Sequence, residues 1–284
     1  MSLTLVQAWT TARKRLQGAG VDGPVIDARL LVEAAAEATR ADIIAEPHRV
    51  LTDAQEATLE DYLSRRERRE PVSHILGRRG FWKIMLRVTP DVLTPRPDTE
   101  TIVELALRDL PEGRAFSVLD LGVGSGAILL AILAERPAGK GLGVDVSEEA
   151  LAVARDNAAS LGLGRQVALL RGDWTAGLAE ASFDLVVSNP PYIPTGDIET
   201  LDPEVRDHEP RLALDGGSDG LDAYRTLAPE ILRVLKPGAR FLVEIGFDQS
   251  PAVEALFRAA GAVDVATHRD LADRDRVVAG RRPV

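Results

Sequence analysis

The sequence predicts an α/β fold: a mostly parallel sheet of seven strands with helices between them, behind an all-helical N-terminal segment. Three observations carry this. From Phe116 onward, short apolar runs of strand length alternate with longer amphipathic ones, the pattern of βα units around a parallel sheet. Up to about residue 75 the only apolar periodicity is helical. The chain has 284 residues, 45% of them hydrophobic, enough for two separate cores.

Taken in order, Leu5, Trp9, Ala12 and Leu16 mark one face of a first helix, and Gly20 and Gly23 break the chain after it. Pro24 starts a second helix over 25–38. A short third covers 41–46 and stops at Pro47. Thr52 caps a long fourth, from 53 to about 69, which Pro71 ends. Residues 1–75 are therefore expected to form a helical domain. Residues 76–95 read as a hairpin connector built on Phe81, Trp82 and the run 84-IMLRVT-89. Residues 96–284 form the sheet domain, entered through a helix over 99–110. Its strands are expected at 116–121, 141–146, 166–172, 183–188, 240–246, 262–267 and 275–280, with helices at 126–135, 148–161, 221–236 and 250–260. Too little chain separates the last two strands for a crossover helix, so one is expected to run antiparallel as a hairpin-like edge.

Composition excludes several chemistries. There is no cysteine, which removes disulfides, thiolate metal sites and thiol nucleophiles. The four histidines are scattered without ligand spacing, and no metal site is expected. Against 34 Lys and Arg stand 44 Asp and Glu, a net charge of −10. A protein that grips nucleic acid by its phosphates shows the opposite balance, so direct nucleic-acid binding is not expected. The longest apolar run, 126-GAILLAILA-134, is half of the ~20 residues that span a bilayer. The N-terminus lacks the basic-then-apolar order of a signal peptide. A soluble, cytoplasmic, monomeric protein without membrane contact is the expectation.

Ligands of such sheets bind beyond the carboxyl ends of the strands. The first sheet strand ends in 120-DLGVGSGA-127, where Gly122, Gly124 and Gly126, with Val123 and Ser125 between them, let backbone approach a ligand and let the next helix start close to the strand. The second ends at Asp145, 19 residues after Gly126, where a carboxylate can accept from two ribose hydroxyls. Capping the next helix falls to Ser147 instead. An adenosine-containing cofactor is implied. The dinucleotide fingerprint places its third glycine one residue later than here. This spacing instead resembles the class I methyltransferases that use S-adenosylmethionine. The third strand ends in 172-GDW-174; Asp173 can accept from the adenine amine and Trp174 can cover the ring, although core packing is the commoner fate of a tryptophan.

The fourth strand ends in Asn189-Pro190-Pro191-Tyr192, similar to the motif of enzymes that methylate a planar amino group, of adenine, cytosine or glutamine. The residue types suit that chemistry. The lone pair of an amide nitrogen is delocalised, with a rotation barrier of ~18–20 kcal/mol. It must be drawn toward tetrahedral geometry before it can attack. The side-chain carbonyl of Asn189 and the backbone carbonyl of Pro190 can each accept one N–H, and both bonds strengthen as charge develops on nitrogen. The prolines hold the acceptors rigidly, and the Tyr192 ring can wall the planar group. The loop after the motif is long for a connector. Between 197 and 222 it carries nine acidic residues against Arg206 and Arg211. That charge repels phosphates and suits a peptide glutamine better.

The combination 95-PRPDTE-100, 120-DLGVGSGA-127, 173-DW-174 and 188-SNPPYI-193 resembles the peptide-chain release factor glutamine methyltransferases over nearly the whole chain. The resemblance implies a seven-stranded Rossmann-like methyltransferase sheet and an N-terminal helical domain for substrate recognition. It implies methylation, from S-adenosylmethionine, of the glutamine side-chain amide in the Gly-Gly-Gln tip of bacterial release factors. Gly122 to Gly126, Asp145, Trp174 and Asn189 would then line the cofactor, and Asn189 to Tyr192 would hold the glutamine. Val123 stands where that family usually has threonine; a backbone contact is all that is needed there. Two alternatives are a nucleic-acid methyltransferase acting on an adenine amine, which the charge disfavours, and a cofactor-binding module without catalysis, which has no use for Asn189. Finally, residues 65–87 carry eight basic side chains, Arg65, Arg66, Arg68 and Arg69 foremost, and are expected to help hold the protein substrate.

Overall fold

Threonines start three of the N-terminal helices. The structure, a computed structural model, describes residues 2–110 and 112–284 and divides into two compact units. The first runs to Gly77 and also takes in Asp202–His208. It contains α1 (Leu5–Gly18), α2 (Pro24–Ala35), α3 (Arg40–Ala45), α4 (Asp53–Glu67) and α5 (Val72–Leu76). Thr4, Thr39 and Thr52 form capping boxes with Gln7, Asp42 and Gln55, so each helix start has two orphan amides satisfied by side chains. Leu5, Ala8, Ala12 and Leu16 of α1 are fully buried against Leu31 and Val32 of α2 and Leu59 and Leu63 of α4. The single turn of α5 follows Pro71, where the sequence suggested only a stop.

The basic run at the end of α4 is not a solvated face. Arg66 is 5% exposed and bonds Asp27 and Glu204 at 2.8 Å each. Arg69 bonds Glu204 at 2.7 Å and the Gly20 carbonyl at 2.7 Å, and Arg65 bonds Glu70 at 2.5 Å. Three of the four arginines expected to meet a protein substrate are thus held by partners inside their own unit. Charge counting along the sequence could not find this, because Glu204 lies 138 residues from Arg66.

The second unit comprises Arg78–Leu201 and Glu209–Val284. It opens with an antiparallel hairpin, β1 (Arg78–Phe81) and β2 (Ile84–Arg87), which belongs with the sheet. Then follow α6 (Glu100–Asp109), β3 (Phe116–Leu121), α7 (Ala127–Glu135), β4 (Gly139–Asp145), α8 (Glu148–Ser160), β5 (Val167–Arg171) and β6 (Phe183–Ser188). The long loop after β6 contains the short α9 (Pro203–Arg206), part of the first unit. The chain ends with α10 (Asp222–Val234), β7 (Leu235–Glu244), α11 (Ser250–Ala259), β8 (Val263–Arg269) and β9 (Asp275–Arg281). The sheet order is β5-β4-β3-β6-β7-β9-β8, parallel throughout except for β9, which is antiparallel to both its neighbours. The expected antiparallel edge is therefore corrected: β9 is the antiparallel strand but lies inside, and β8 is the edge. Val277, Val278 and Ala279 are buried, whereas β8 alternates exposed and half-buried residues, so the more apolar strand takes the position with two neighbours.

The two halves of the sheet diverge between β3 and β6, with β4 and β5 on one side and β7 on the other. That is the topological switch point, where the carboxyl ends of strands open a crevice. Helix α7 is apolar on nearly every face because it is buried between the sheet and α6, in one cluster with Val118, Val187 and Leu105. No described helix is long and apolar enough to cross a membrane.

Candidate functional site

Register brings the strand ends level. Leu121 pairs with Val144 on one side and Ser188 on the other, and Asp145 pairs with Arg171. The Ser188 hydroxyl also donates to the Leu121 carbonyl at 2.7 Å. The next residues, Gly122, Asn189 and Gly172, therefore emerge side by side with Asp145 at one end of the sheet. They border a cavity of about 310 Å³.

The glycine loop is shaped by its backbone. Gly122 N–H and Val123 N–H both donate to the Val144 carbonyl, at 2.9 and 3.0 Å. Gly126 caps α7 with φ +85°, a left-handed conformation that disfavours a side chain. Gly124 N–H donates to Asp145 Oδ2 at 2.9 Å, and Ser147 N–H donates to Oδ1 at 3.0 Å. Each carboxylate oxygen can accept two bonds and takes one of these, so Asp145 fixes the loop and retains a lone-pair site on each oxygen. Ser147 caps α8 through the Ala150 amide at 3.0 Å. Asn157 of α8, which the sequence reading passed over, is buried and donates to the carbonyls of Ser125 and Arg87 at 2.9 and 3.1 Å. It ties the glycine loop to the hairpin.

Trp174 has φ +48°, a costly conformation for a bulky residue and one found where function constrains the backbone. A Cβ on Gly122 would lie 3.8 Å from its indole, so the ring stands over the glycine loop. Asp173 is exposed at the rim, and both residues line the cavity.

At the end of β6, the Asn189 amide nitrogen donates to Thr99 Oγ1 at 3.4 Å. Among the described residues nothing donates to Asn189 Oδ1. Pro190 is buried and Pro191 lines the cavity. Tyr192 does not line it. Its ring packs into the core on the α10 side of the sheet; burial of the phenol first, and the charge of Glu244 second, push its pKa up. Its carbonyl accepts from Gln249 Nε2 at 2.9 Å. Gln249 also donates to the Gly220 carbonyl and accepts from Gly246 N–H, which stitches the motif to the end of β7.

The segment 95–100 closes the site from the α6 side. Glu209, buried in the acidic loop, accepts from the Thr94 amide at 2.9 Å and from Arg96 at 3.1 Å. Beyond it Pro210, Leu212 and Ala213 reach the cavity. Two carboxyls lie beneath. Asp120 is fully buried; its Oδ2 accepts from the Leu129 amide at 3.2 Å, in the first turn of α7, and its Oδ1 has no hydrogen-bond partner. Burial first, and the nearby Asp145 charge second, raise its pKa to about 7. Glu244 is buried at the end of β7.

Of the residues singled out in the sequence, Gly122, Val123, Gly124, Ser125, Asp145, Asp173, Trp174, Asn189 and Pro191 border one cavity, while the side chains of Pro190 and Tyr192, and Gly126, do not line it. The residues passed over are Thr99, Glu209, Glu244, Gln249, Asn157 and Asp120. One signal was available: a charged residue inside an apolar strand, as in 240-RFLVEIG-246, needs a reason. Among the described residues no cluster could hold a metal ion.

An apolar wall, a carboxylate with spare acceptor capacity and a left-handed glycine loop fit an adenosine with a charged tail. Residues 7–77 match the PrmC N-terminal domain and residues 113–263 match a methyltransferase domain. The chain is 69% identical to a release factor glutamine methyltransferase of Caulobacter vibrioides, over 99% of this chain and 97% of that protein. It is 47% identical to one from Rhodospirillum rubrum, over 94% and 82%. A methyltransferase structure from Pyrococcus furiosus, 18% identical, superposes with a TM-score of 0.51 over 70% of this chain and 89% of that one, a likeness of fold. Sheet, cavity and relatives agree: the chain belongs to the release factor glutamine methyltransferase family.

Proposed function

We propose that this protein transfers a methyl group from S-adenosylmethionine to the side-chain amide nitrogen of the glutamine in the Gly-Gly-Gln motif of bacterial peptide-chain release factors. The relatives' names support the substrate. The observation that carries the chemistry is Asn189: its nitrogen is engaged by Thr99 and its oxygen is without a donor, level with the glycine loop.

When bound, S-adenosylmethionine supplies a methyl group on a cationic sulfur. Asp145 accepts from the ribose hydroxyls, and Asp173 and Trp174 hold the adenine. The backbone of the glycine loop, free of bulky side chains at Gly122 and Gly124, lies beside the methionine end. Asn189 Oδ1 and the Pro190 carbonyl each accept one N–H of the glutamine amide. They orient the nitrogen and favour its pyramidal form, and both bonds strengthen as positive charge builds. No base is needed before attack, because the product nitrogen sheds its proton afterwards. Tyr192 acts from behind, fixing the loop through its carbonyl, which Gln249 holds.

The test is mass spectrometry of release factor after incubation with the enzyme and S-adenosylmethionine. One added methyl on the Gly-Gly-Gln glutamine is expected. Transfer to DNA or RNA adenine, with none to release factor, would overturn the reading.

A further inference from the structure

Glu244 is 1% exposed at the carboxyl end of β7. Ser188 pairs with Val243, so Glu244 stands beside Asn189 on the neighbouring strand. The hydroxyls of Thr99, before α6, and of Tyr192, after β6, lie close enough to its carboxyl to lower its pKa. Oε2 has no hydrogen-bond partner of its own. Arg276 of β9 and Asp98 face it, and Arg276 is itself bonded to Asp98 at 3.3 Å and Asp270 at 3.2 Å. From α10, the Tyr224 hydroxyl donates to the Glu244 main-chain carbonyl at 2.9 Å. A buried carboxylate is costly, and a glutamine would fill the same space.

The direction of the hydrogen bonds supplies a reason. Thr99 Oγ1 accepts from Asn189 Nδ2, and its single hydrogen must then go elsewhere. We propose that Glu244, as a carboxylate, is a positioning residue for Asn189: by accepting the Thr99 hydroxyl proton it leaves Oγ1 free to hold the Asn189 nitrogen, and so turns Asn189 Oδ1 to the cavity. This rests on the proposed function, in which that oxygen accepts from the substrate amide. A protonated Glu244 is itself a donor and competes for Thr99 Oγ1. Asn189 then loses its anchor, and a flipped amide presents N–H groups to a substrate that also presents N–H groups.

A pH dependence follows. Burial raises the Glu244 pKa to about 7, with Asp98 adding to the rise and Thr99, Arg276 and Tyr192 opposing it. The carboxylate is lost as pH falls through that value, so turnover falls on the acid side.

The experiment measures kcat for methyl transfer to release factor on both sides of pH 7, with full-length enzyme and saturating substrates. Wild type is expected to show an acid limb near pH 7. Glu244→Gln is expected to lose the limb and about 10- to 100-fold in kcat, as small misplacements of an orienting group do, while binding S-adenosylmethionine as before. Thr99→Val should lower kcat similarly, and Thr99→Ser should restore it. A Glu244→Gln enzyme with wild-type turnover and an unchanged acid limb overturns the inference alone. Should that variant not fold, a Thr99→Val enzyme with wild-type turnover does the same. Absence of transfer by the wild type overturns the substrate reading and the inference with it.

Discussion

In the proposed mechanism much rests on one oxygen, Asn189 Oδ1, which shares the substrate amide with the Pro190 carbonyl. Asn189→Ala should lower kcat by ~10²–10³, the usual effect of deleting one transition-state hydrogen bond, with the fold kept because the residue stands at a strand end. Wild-type turnover at saturating substrates would make Asn189 structural. Asp145→Ala removes a charged acceptor and also frees Gly124, whose amide it holds. The loss should be ~1.5–3 kcal/mol of cofactor binding, read by calorimetry, and unchanged affinity would sink the ribose assignment. Asp120 makes a statement about stability. Its folded pKa, about 7, lies above its ordinary value. The folded state therefore binds more protons than the unfolded one, and this group's stabilisation is fully present at low pH and lost as pH rises to 7. Asp120→Asn should flatten that part of the profile. Denaturation midpoints of variant and wild type on either side of pH 7 will check it; parallel profiles would contradict the shift. At this scale the sequence was most legible where a residue type is chemically unusual for its place, as with Asn189 before two prolines. Thr99 and Glu244 were opaque because their meaning depends on a hydrogen-bond direction set by three separate segments.

Elements were legible wherever periodicity alone decides them. The strand over 183–188 and the helices after the glycine loop and after Asp145 follow from local pattern and capping. The order of the last two strands does not, because it is decided by which of them buries more apolar surface. Helix α5 is too short for periodicity to register. Close approach between elements is also invisible until the backbone is placed. A Cβ on Gly126 would sit 2.8 Å from Leu130 Cδ1, in a left-handed conformation. Gly126→Ala should therefore cost about 1–2 kcal/mol of stability. It should also weaken cofactor binding, since α7 must draw back from the glycine loop. A thermal midpoint and cofactor affinity equal to wild type would show that the loop tolerates a side chain there.

For the whole molecule, the net charge of −10 hides an interior arrangement of charge. The acidic loop spends much of its charge locally: Arg211 meets Glu199 and Asp215, and Arg225 meets Asp219 and Asp222. Within the helical unit, Glu204 serves both Arg66 and Arg69. Glu204→Ala should destabilise the protein by about 1–3 kcal/mol, because Arg66 stays buried with only one of its two carboxylate partners, Asp27. Urea unfolding will measure this, and an unchanged midpoint would mean that Asp27 suffices. Length and periodicity located the two units but not this stitch, which joins positions with no local sequence relationship. It bears on how the gene can be cut. A segment ending at Gly77 looks like a transferable cassette, yet seven residues of the unit are encoded more than a hundred codons downstream. Exchanging the N-terminal cassette between relatives without residues 202–208 would separate Arg66 from the carboxylate it was matched to. Recombination at that junction is constrained by a residue that no alignment of the N-terminal piece contains.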